Sequence, residues 1–325
     1  MKWWDVPWNP AICCTPVNEC CRKCWAKLQY ERIYKGKSFN QVQLCPHVMD
    51  KPLHRHIKTT YFVCNWGDIF HKDIPDDYIH ECFAVMTLAC WHNFFVLTKR
   101  IDRAVKLLNA PDAYERRKRA ADVVRERTGI GGNVGISNPV DIPPKNIAVG
   151  TTVGLQKHAD EFVPLLLQVP AWRHFLSYEP ALGPIVFKNE WLTVKDKPFP
   201  GYTSRVDWIV AGGENDEDAE PCHLDWLRNT IRQCDEHNVA IMVKQIGTRP
   251  VDSICDEWPS ESTELQPNGF GEYLVCGLKG RAGEYSEEWP KSLRRHETLI
   301  FGYPQITARA VTRANRNGDQ LKLIG

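Results

Sequence analysis

The chain has 325 residues with 41 Lys and Arg against 40 Asp and Glu, and its net charge of +1 excludes a globally basic nucleic-acid binder while leaving room for a local patch. Hydrophobic residues at 43% and charged residues at 25% are ordinary for a globular protein, and the length allows one large α/β domain or two smaller ones. No apolar run reaches the roughly 18 residues of a membrane span. The 13 cysteines come without a secretion signal, so a reducing cytoplasm and no membrane partner are expected.

The first feature along the chain is a run of five cysteines within residues 13–24. Thiolates this crowded repel one another unless a metal or a disulfide takes up their charge. Cys14, Cys21 and Cys24 form C-x6-C-x2-C, followed by Trp25-Ala26. Structural zinc and iron–sulfur cubes usually take four protein ligands; three thiolates leave a metal corner open for a substrate or cofactor. On a [4Fe–4S] cluster that corner is where radical enzymes hold S-adenosylmethionine (SAM). Zinc is the main alternative, although zinc ribbons show two C-x2-C knuckles and only Cys21/Cys24 form one here. A disulfide scaffold suits small secreted chains better than this one. Cys13 and Cys20 each neighbour a proposed ligand and could substitute for it.

Thr60–Cys64 is short, β-branched and aromatic, and predicts a strand running into the turn Asn65–Asp68. Pro75-Asp76-Asp77 opens a helix carrying Ile79, Phe83 and Met86 at helical spacing. Further strands are predicted at Phe94–Thr98, Asn146–Gly150, His174–Ser177, Val206–Gly213 and Val239–Val243, with helices at 159–169 and 225–236. Strand, loop, helix, strand at this rhythm indicates parallel βαβ units, hence an α/β full or partial parallel (β/α) barrel, with a doubly wound open sheet as the alternative. Asp68, Lys99, Glu179, Glu214 and Lys244 all fall just after strands, at the end where barrel enzymes build their sites.

Residues 103–145 read as an insertion into a barrel spanning 1–247. Its Arg116–Arg119 cluster, with Glu115, Asp122 and Glu126, reads as a solvated, salt-bridged helix in preference to a nucleic-acid contact. Ile130–Gly135 is glycine-rich without the pattern of a phosphate loop, and reads as a flexible connector or lid. From 248 to 325 the strand and helix signals weaken. This section reads as a loop-rich extension packed on the barrel, with a partly mobile tail.

Taken together, these segments resemble a phage and prokaryotic family of three-cysteine proteins related to radical SAM enzymes. The resemblance rests on Trp8-Asn9-Pro10, Cys14, Cys21, Cys24-Trp25-Ala26, Gly67–His71, Leu97–Arg100, Ser177–Pro184, Gly212–Glu214 and Lys244–Gly247, with a weaker echo at Gly280-Arg281 and Trp289-Pro290. Three departures are the cysteine spacing, where C-x3-C-x2-C is common, Asn215-Asp216 after Gly212–Glu214, where a small Ser-Gly pair is usual, and Ile246 in place of a usual Trp. The resemblance implies a radical SAM type of barrel in the cytoplasm of a prokaryotic cell or phage-infected host. It implies a [4Fe–4S] cluster on the three cysteines, SAM as cofactor and an external electron donor.

In that frame Asn65, Gly67 and Asp68 are the expected site for the amino group of SAM. Lys99, Ser177 and Glu179 are expected at its carboxylate or ribose. The alternative for the charged pair is that Lys99 and Glu179 neutralise each other inside the barrel. Glu214, Lys244 and Gln245 are expected to face a polar substrate as acid/base, cation and amide. The expected substrate is a nucleic acid or nucleotide, supported by ten Lys/Arg against five Asp/Glu between Lys99 and Arg127. A peptide-modifying radical enzyme and a non-enzymatic iron–sulfur or zinc interaction module are the other readings.

Overall fold

The chain was analysed in a computed structural model that describes residues 2–130, 144–194, 204–254, 258, 263–280 and 282–301. In chain order the elements are β1 (Val6–Trp8), β2 (Ala11–Ile12), α1 (Trp25–Ile33), β3 (Gln43–Leu44), α2 (Lys51–His54), β4 (Thr60–Val63), α3 (Asp76–Leu88), β5 (Asn93–Thr98), α4 (Ile101–Leu108), α5 (Ala113–Thr128), β6 (Ile147–Thr152), α6 (Gln156–Leu166) and β7 (Arg173–Tyr178). There follow α7 (Asn189–Leu192), β8 (Val206–Gly212), β9 (Cys222–His223), α8 (Leu224–His237), β10 (Ala240–Gln245), β11 (Pro250–Asp252), β12 (Glu264–Pro267) and β13 (Tyr273–Cys276).

Seven strands form one sheet in the order β1-β4-β5-β6-β7-β8-β10, every pair parallel. The order never reverses. A doubly wound sheet needs a reversal, so that alternative falls away and the sheet is a parallel half-barrel. Because right-handed crossovers all advance in one direction, they cover a single face with helices. All six predicted strands are present. The seventh, β1, escaped prediction: it has three residues and contains Pro7, which a sheet tolerates at an edge.

The two faces carry two cores. The larger one lies between strands and helices and includes Val63, Val96, Val149, Leu176, Ile209 and Ile241. The smaller one fills the concave side with Phe95, Ala148, Phe175, Trp208, Val210 and Met242. Trp3 plugs this floor, with its ring 5.0 Å from Phe62, 4.9 Å from Phe95 and 5.4 Å from Trp208, all edge-on.

Described residues of the C-terminal section meet the half-barrel at β10. Val243 donates to the Arg295 carbonyl at 2.9 Å, and Glu297 donates to that of Ile241 at 3.1 Å, covering the open edge at β10. Beyond β10 the section is more regular than its sequence suggests: β11, β12 and β13 join the earlier β9 in a four-stranded sheet ordered β12-β13-β11-β9. In the stretch read as an insertion, α4 and α5 are the crossover between β5 and β6. Four of their cations pair with carboxylates: Arg103 with Asp76, Arg116 with Asp77, Arg125 with Asp122, and Arg127 with Asp50 and Glu81. The salt-bridged reading of this helix is the one observed. The lid-like connector beyond Ile130, Arg281 and the tail from 302 lie outside the described residues. Among the described residues no helix is long and apolar enough to cross a membrane.

Two buried histidines are expected to make the fold acid-sensitive. His80 on α3 is 1% exposed, and neither ring nitrogen has a hydrogen-bond partner among the described residues. His92 is fully buried and accepts the Thr59 amide proton on Nδ1, which requires a neutral ring. Burial pushes both down to about 4. An unfolded histidine titrates near 6.5, so below that pH the unfolded chain binds more protons and stability falls with pH until about 4. Each ring is expected to contribute a loss of about 2 kcal/mol between roughly pH 7.5 and 5. Urea midpoints at the two pH values check this. His80→Leu should lose about 2 kcal/mol less than the parent over that interval, and equal losses would refute the assignment.

Candidate functional site

Strand alternation decides what the concave face presents above its aromatic floor. Residues two apart along a strand share a face. Phe175 leads to Ser177 and then Glu179 on β7, Trp208 and Val210 to Gly212 on β8, and Met242 to Lys244 on β10. Glu179 Oε1 and Lys244 Nζ accordingly meet at 2.9 Å, with side chains 13% and 30% exposed. Gly212 lies between these strands, and a Cβ there would come within 3.5 Å of Glu179 Oε1. The carboxylate of Glu179 is therefore neutralised by Lys244, not by Lys99. Lys99 lies beyond the end of β5 beside Cys20 and has no carboxylate at ion-pair distance among the described residues. With Glu19, Lys157, His158, Glu161 and Phe162 it lines a cleft of about 280 Å³.

The turn after β4 holds the cysteine loop by its backbone. Cys13 donates to the Trp66 carbonyl at 2.7 Å, and a Cβ on Gly67 would stand 2.9 Å from the Cys13 carbonyl oxygen, so the close approach requires glycine. Asp68 is fully committed. Oδ1 accepts from the Phe70 amide and the Thr98 hydroxyl at 3.0 and 2.8 Å, and Oδ2 accepts from the Lys99 amide and Arg100 Nη1, both at 3.1 Å. Four bonds use the acceptor capacity of a carboxylate, so Asp68 does not offer the free acceptor expected of it. Its neighbour Asn65 does: it is 7% exposed and its Oδ1 has no hydrogen-bond partner among the described residues.

Arg100 turns the Asp68 network toward the cysteines. Its guanidinium donates to Cys14 Sγ at 3.2 Å and to the carbonyl and hydroxyl of Thr15 at 2.8 and 3.0 Å. The Thr15 hydroxyl also meets His71 Nε2 at 2.8 Å. Further along, Cys20 Sγ sits 3.6 Å from His158 Nδ1, and His158 Nε2 is 2.9 Å from Glu19 Oε2. Gly154 makes room for this sulfur, since a Cβ there would stand 2.6 Å from it. Lys23, between Cys21 and Cys24, reaches Glu214 at 3.5 Å and Asp216 at 3.7 Å. The loop thus lies across the C-terminal ends of β5, β6 and β8, where a parallel barrel carries its chemistry.

Two expected substrate-facing groups are therefore occupied with bracing. Glu214 anchors the cysteine loop through Lys23, and Gln245 Nε2 donates to the Gly213 carbonyl at 3.0 Å. Lys244 alone of the three opens to the mouth. Sequence reasoning passed over Arg100, although it stands in the quoted Leu97–Arg100 motif. It also passed over Lys23 and the Cys20–His158–Glu19 chain, whose members are far apart in sequence.

The five cysteines of the loop divide by burial. Cys13 and Cys20 are buried, while Cys14, Cys21 and Cys24 are half-buried, and every described cysteine is a free thiol. A disulfide scaffold is thus not observed among the described residues. Burial pushes the Cys14 thiol up to about 11, helped by the charge of Asp68 and opposed by Arg100. Burial likewise raises Cys20 to about 11. Three soft, accessible donors on one loop fit a thiolate-bound metal. Among the described residues, no three His, Cys, Asp or Glu side chains already gather around one point. A metal held by Cys14, Cys21 and Cys24 would have to draw the three together.

Fold and site define a parallel half-barrel protein with a cysteine loop at its C-terminal mouth. Comparison with known families places residues 1–316 within the family described as Protein of unknown function (DUF5131), and the chain belongs to that family. No curated protein and no solved structure matches it.

Proposed function

We propose that this protein is an iron–sulfur enzyme of radical SAM type that modifies or repairs a nucleic acid or nucleotide. One observation carries the reading: three half-buried free thiols stand on a loop laid over the C-terminal edge of a parallel half-barrel. Cys14, Cys21 and Cys24 would hold a [4Fe–4S] cluster, leaving one iron for SAM. With an external electron donor, such a site would supply one-electron cleavage of the S–C5′ bond of SAM, giving methionine and a 5′-deoxyadenosyl radical.

The chain's own residues supply binding and orientation. The orphaned Asn65 Oδ1 would accept the amino group of SAM, because a buried acceptor without a partner is unfavourable until one arrives. Lys99, with no carboxylate of its own among the described residues, suits the SAM carboxylate. Ser177 and Glu179 suit ribose hydroxyls. Lys244 pairs with Glu179 and offers a cation to a polar substrate. Asp68 and Arg100 act as positioning residues, fixing Cys14 and Thr15.

The test is anaerobic reconstitution followed by reduction with SAM. Formation of 5′-deoxyadenosine, together with an absorption band near about 400 nm, is the expected result. Incubation with DNA, RNA and nucleotides should then give a nucleoside mass change that requires both SAM and Cys24. Stoichiometric zinc without the absorption band, and no 5′-deoxyadenosine with several reductants, would refute the proposal in favour of a metal-bound interaction module.

A further inference from the structure

Helix α1 begins directly after Cys24, and its surface is built the wrong way round for a solvated helix. Ala26 and Tyr30 face inward, packing with Cys13 and Phe39. The opposite stripe, at i, i+3 and i+7, carries Trp25, Leu28 and Arg32. Trp25 is 47% exposed, Leu28 51%, Ile33 at the end of the helix 54% and Tyr34 41%. Large apolar groups clustered on a solvent face mark an interaction surface.

Charge identifies what this surface takes. Between Arg22 and Lys37 the chain has six Lys or Arg and a single acid, Glu31. Arg32, Lys35 and Lys37 are exposed and have no carboxylate partner among the described residues, and Lys37 Nζ lies 5.6 Å from the centre of the Tyr34 ring. Arg22, Lys23 and Lys27 are paired with Glu220, with Glu214 and Asp216, and with Glu31, so the charge this surface offers is that of Arg32, Lys35 and Lys37. Lysine is depleted from the cores of protein–protein interfaces. Cations interleaved with exposed aromatic rings are instead what a single-stranded nucleic acid uses, with phosphates on the cations and bases on the rings. Trp25 and Tyr34 stand about 13 Å apart along the helix axis and half a turn apart around it, with the Tyr34 ring 4.8 Å from that of Tyr30. A strand reaching both rings therefore crosses the helix obliquely instead of running along one face.

We infer that α1 and the residues after it, through Trp25, Tyr34, Arg32, Lys35 and Lys37, form a binding path for single-stranded nucleic acid leading to the cysteine loop. The inference rests on the functional reading above, since it names the substrate class and where that substrate lies. The path starts one residue from Cys24, so a strand stacked on Trp25 would be carried to the mouth.

The experiment uses the full chain and labelled single-stranded DNA and RNA of roughly 12 nucleotides, read by fluorescence anisotropy across about 50–200 mM salt. Trp25→Ala and Tyr34→Ala should each weaken binding about tenfold with an unchanged salt slope. The double variant K35A/K37A should reduce the slope of log affinity against log salt by about 1.4. Arg116→Ala on α5 should change nothing. No binding at the lowest salt would overturn the inference, as would binding indifferent to Trp25→Ala. Equal affinity for polyglutamate with that indifference would identify a docking face for an acidic protein. Oligonucleotide binding requires neither cluster nor SAM. Its failure beside intact 5′-deoxyadenosine formation sinks this inference alone, and the reverse outcome sinks only the reading above.

Discussion

Alanine at Cys14, Cys21 or Cys24 is expected to abolish iron incorporation, and alanine at Cys13 or Cys20 to leave it in place. The division follows from where the thiols sit. Cys13 is 1% exposed, packed beneath α1, and its backbone amide is bonded to the turn after β4. Cys20 is 7% exposed and faces His158 in a space that Gly154 keeps open. Moving either sulfur to a metal would break these contacts. The other three thiols are half-buried on the loop. Iron and sulfide per chain after anaerobic reconstitution measure the outcome. The parent and both buried-cysteine variants should approach four of each, as a [4Fe–4S] cluster requires, and the three ligand variants should fall below about one. Loss of iron in Cys20→Ala with retention in Cys21→Ala would reassign the ligand set.

Much of the barrel was legible because its strands are buried on both faces. Thr60–Val63, Asn93–Thr98 and Val206–Gly212 read as near-continuous apolar runs between turn residues. The same property hid which side chains point inward, since a continuous run carries no alternation. Only the register of β7, β8 and β10 reveals that Glu179 meets Lys244 and not Lys99. Short polar strands were illegible for the opposite reason. β9 has two residues and β12 reads Glu-Leu-Gln-Pro, so neither carries a hydrophobic signature. The cysteine loop was visible as crowding alone. Its fastenings were not, because Lys23 and Glu214, or Cys20 and His158, are brought together only by the closing of parallel strands.

The pair at the mouth separates bracing from chemistry. Lys244→Met should strand a carboxylate that is 13% exposed and has no other ion-pair partner among the described residues. Removing one partner of a fully buried pair costs about 3–5 kcal/mol. With Lys244 30% exposed, solvent screening reduces the expected loss to about 1–2 kcal/mol. Glu179→Gln combined with Lys244→Met leaves no stranded charge, so the double variant should recover most of that stability in urea unfolding. SAM cleavage should behave differently. If Glu179 holds the ribose and Lys244 faces the substrate, charge balance alone does not restore them. The double variant should therefore stay at least about 100-fold slower than the parent in forming 5′-deoxyadenosine, with SAM bound about tenfold more weakly. A double variant that regains both stability and SAM turnover would show that the pair only braces the barrel, and the SAM-binding groups would then have to be sought at Asn65, Lys99 and Ser177.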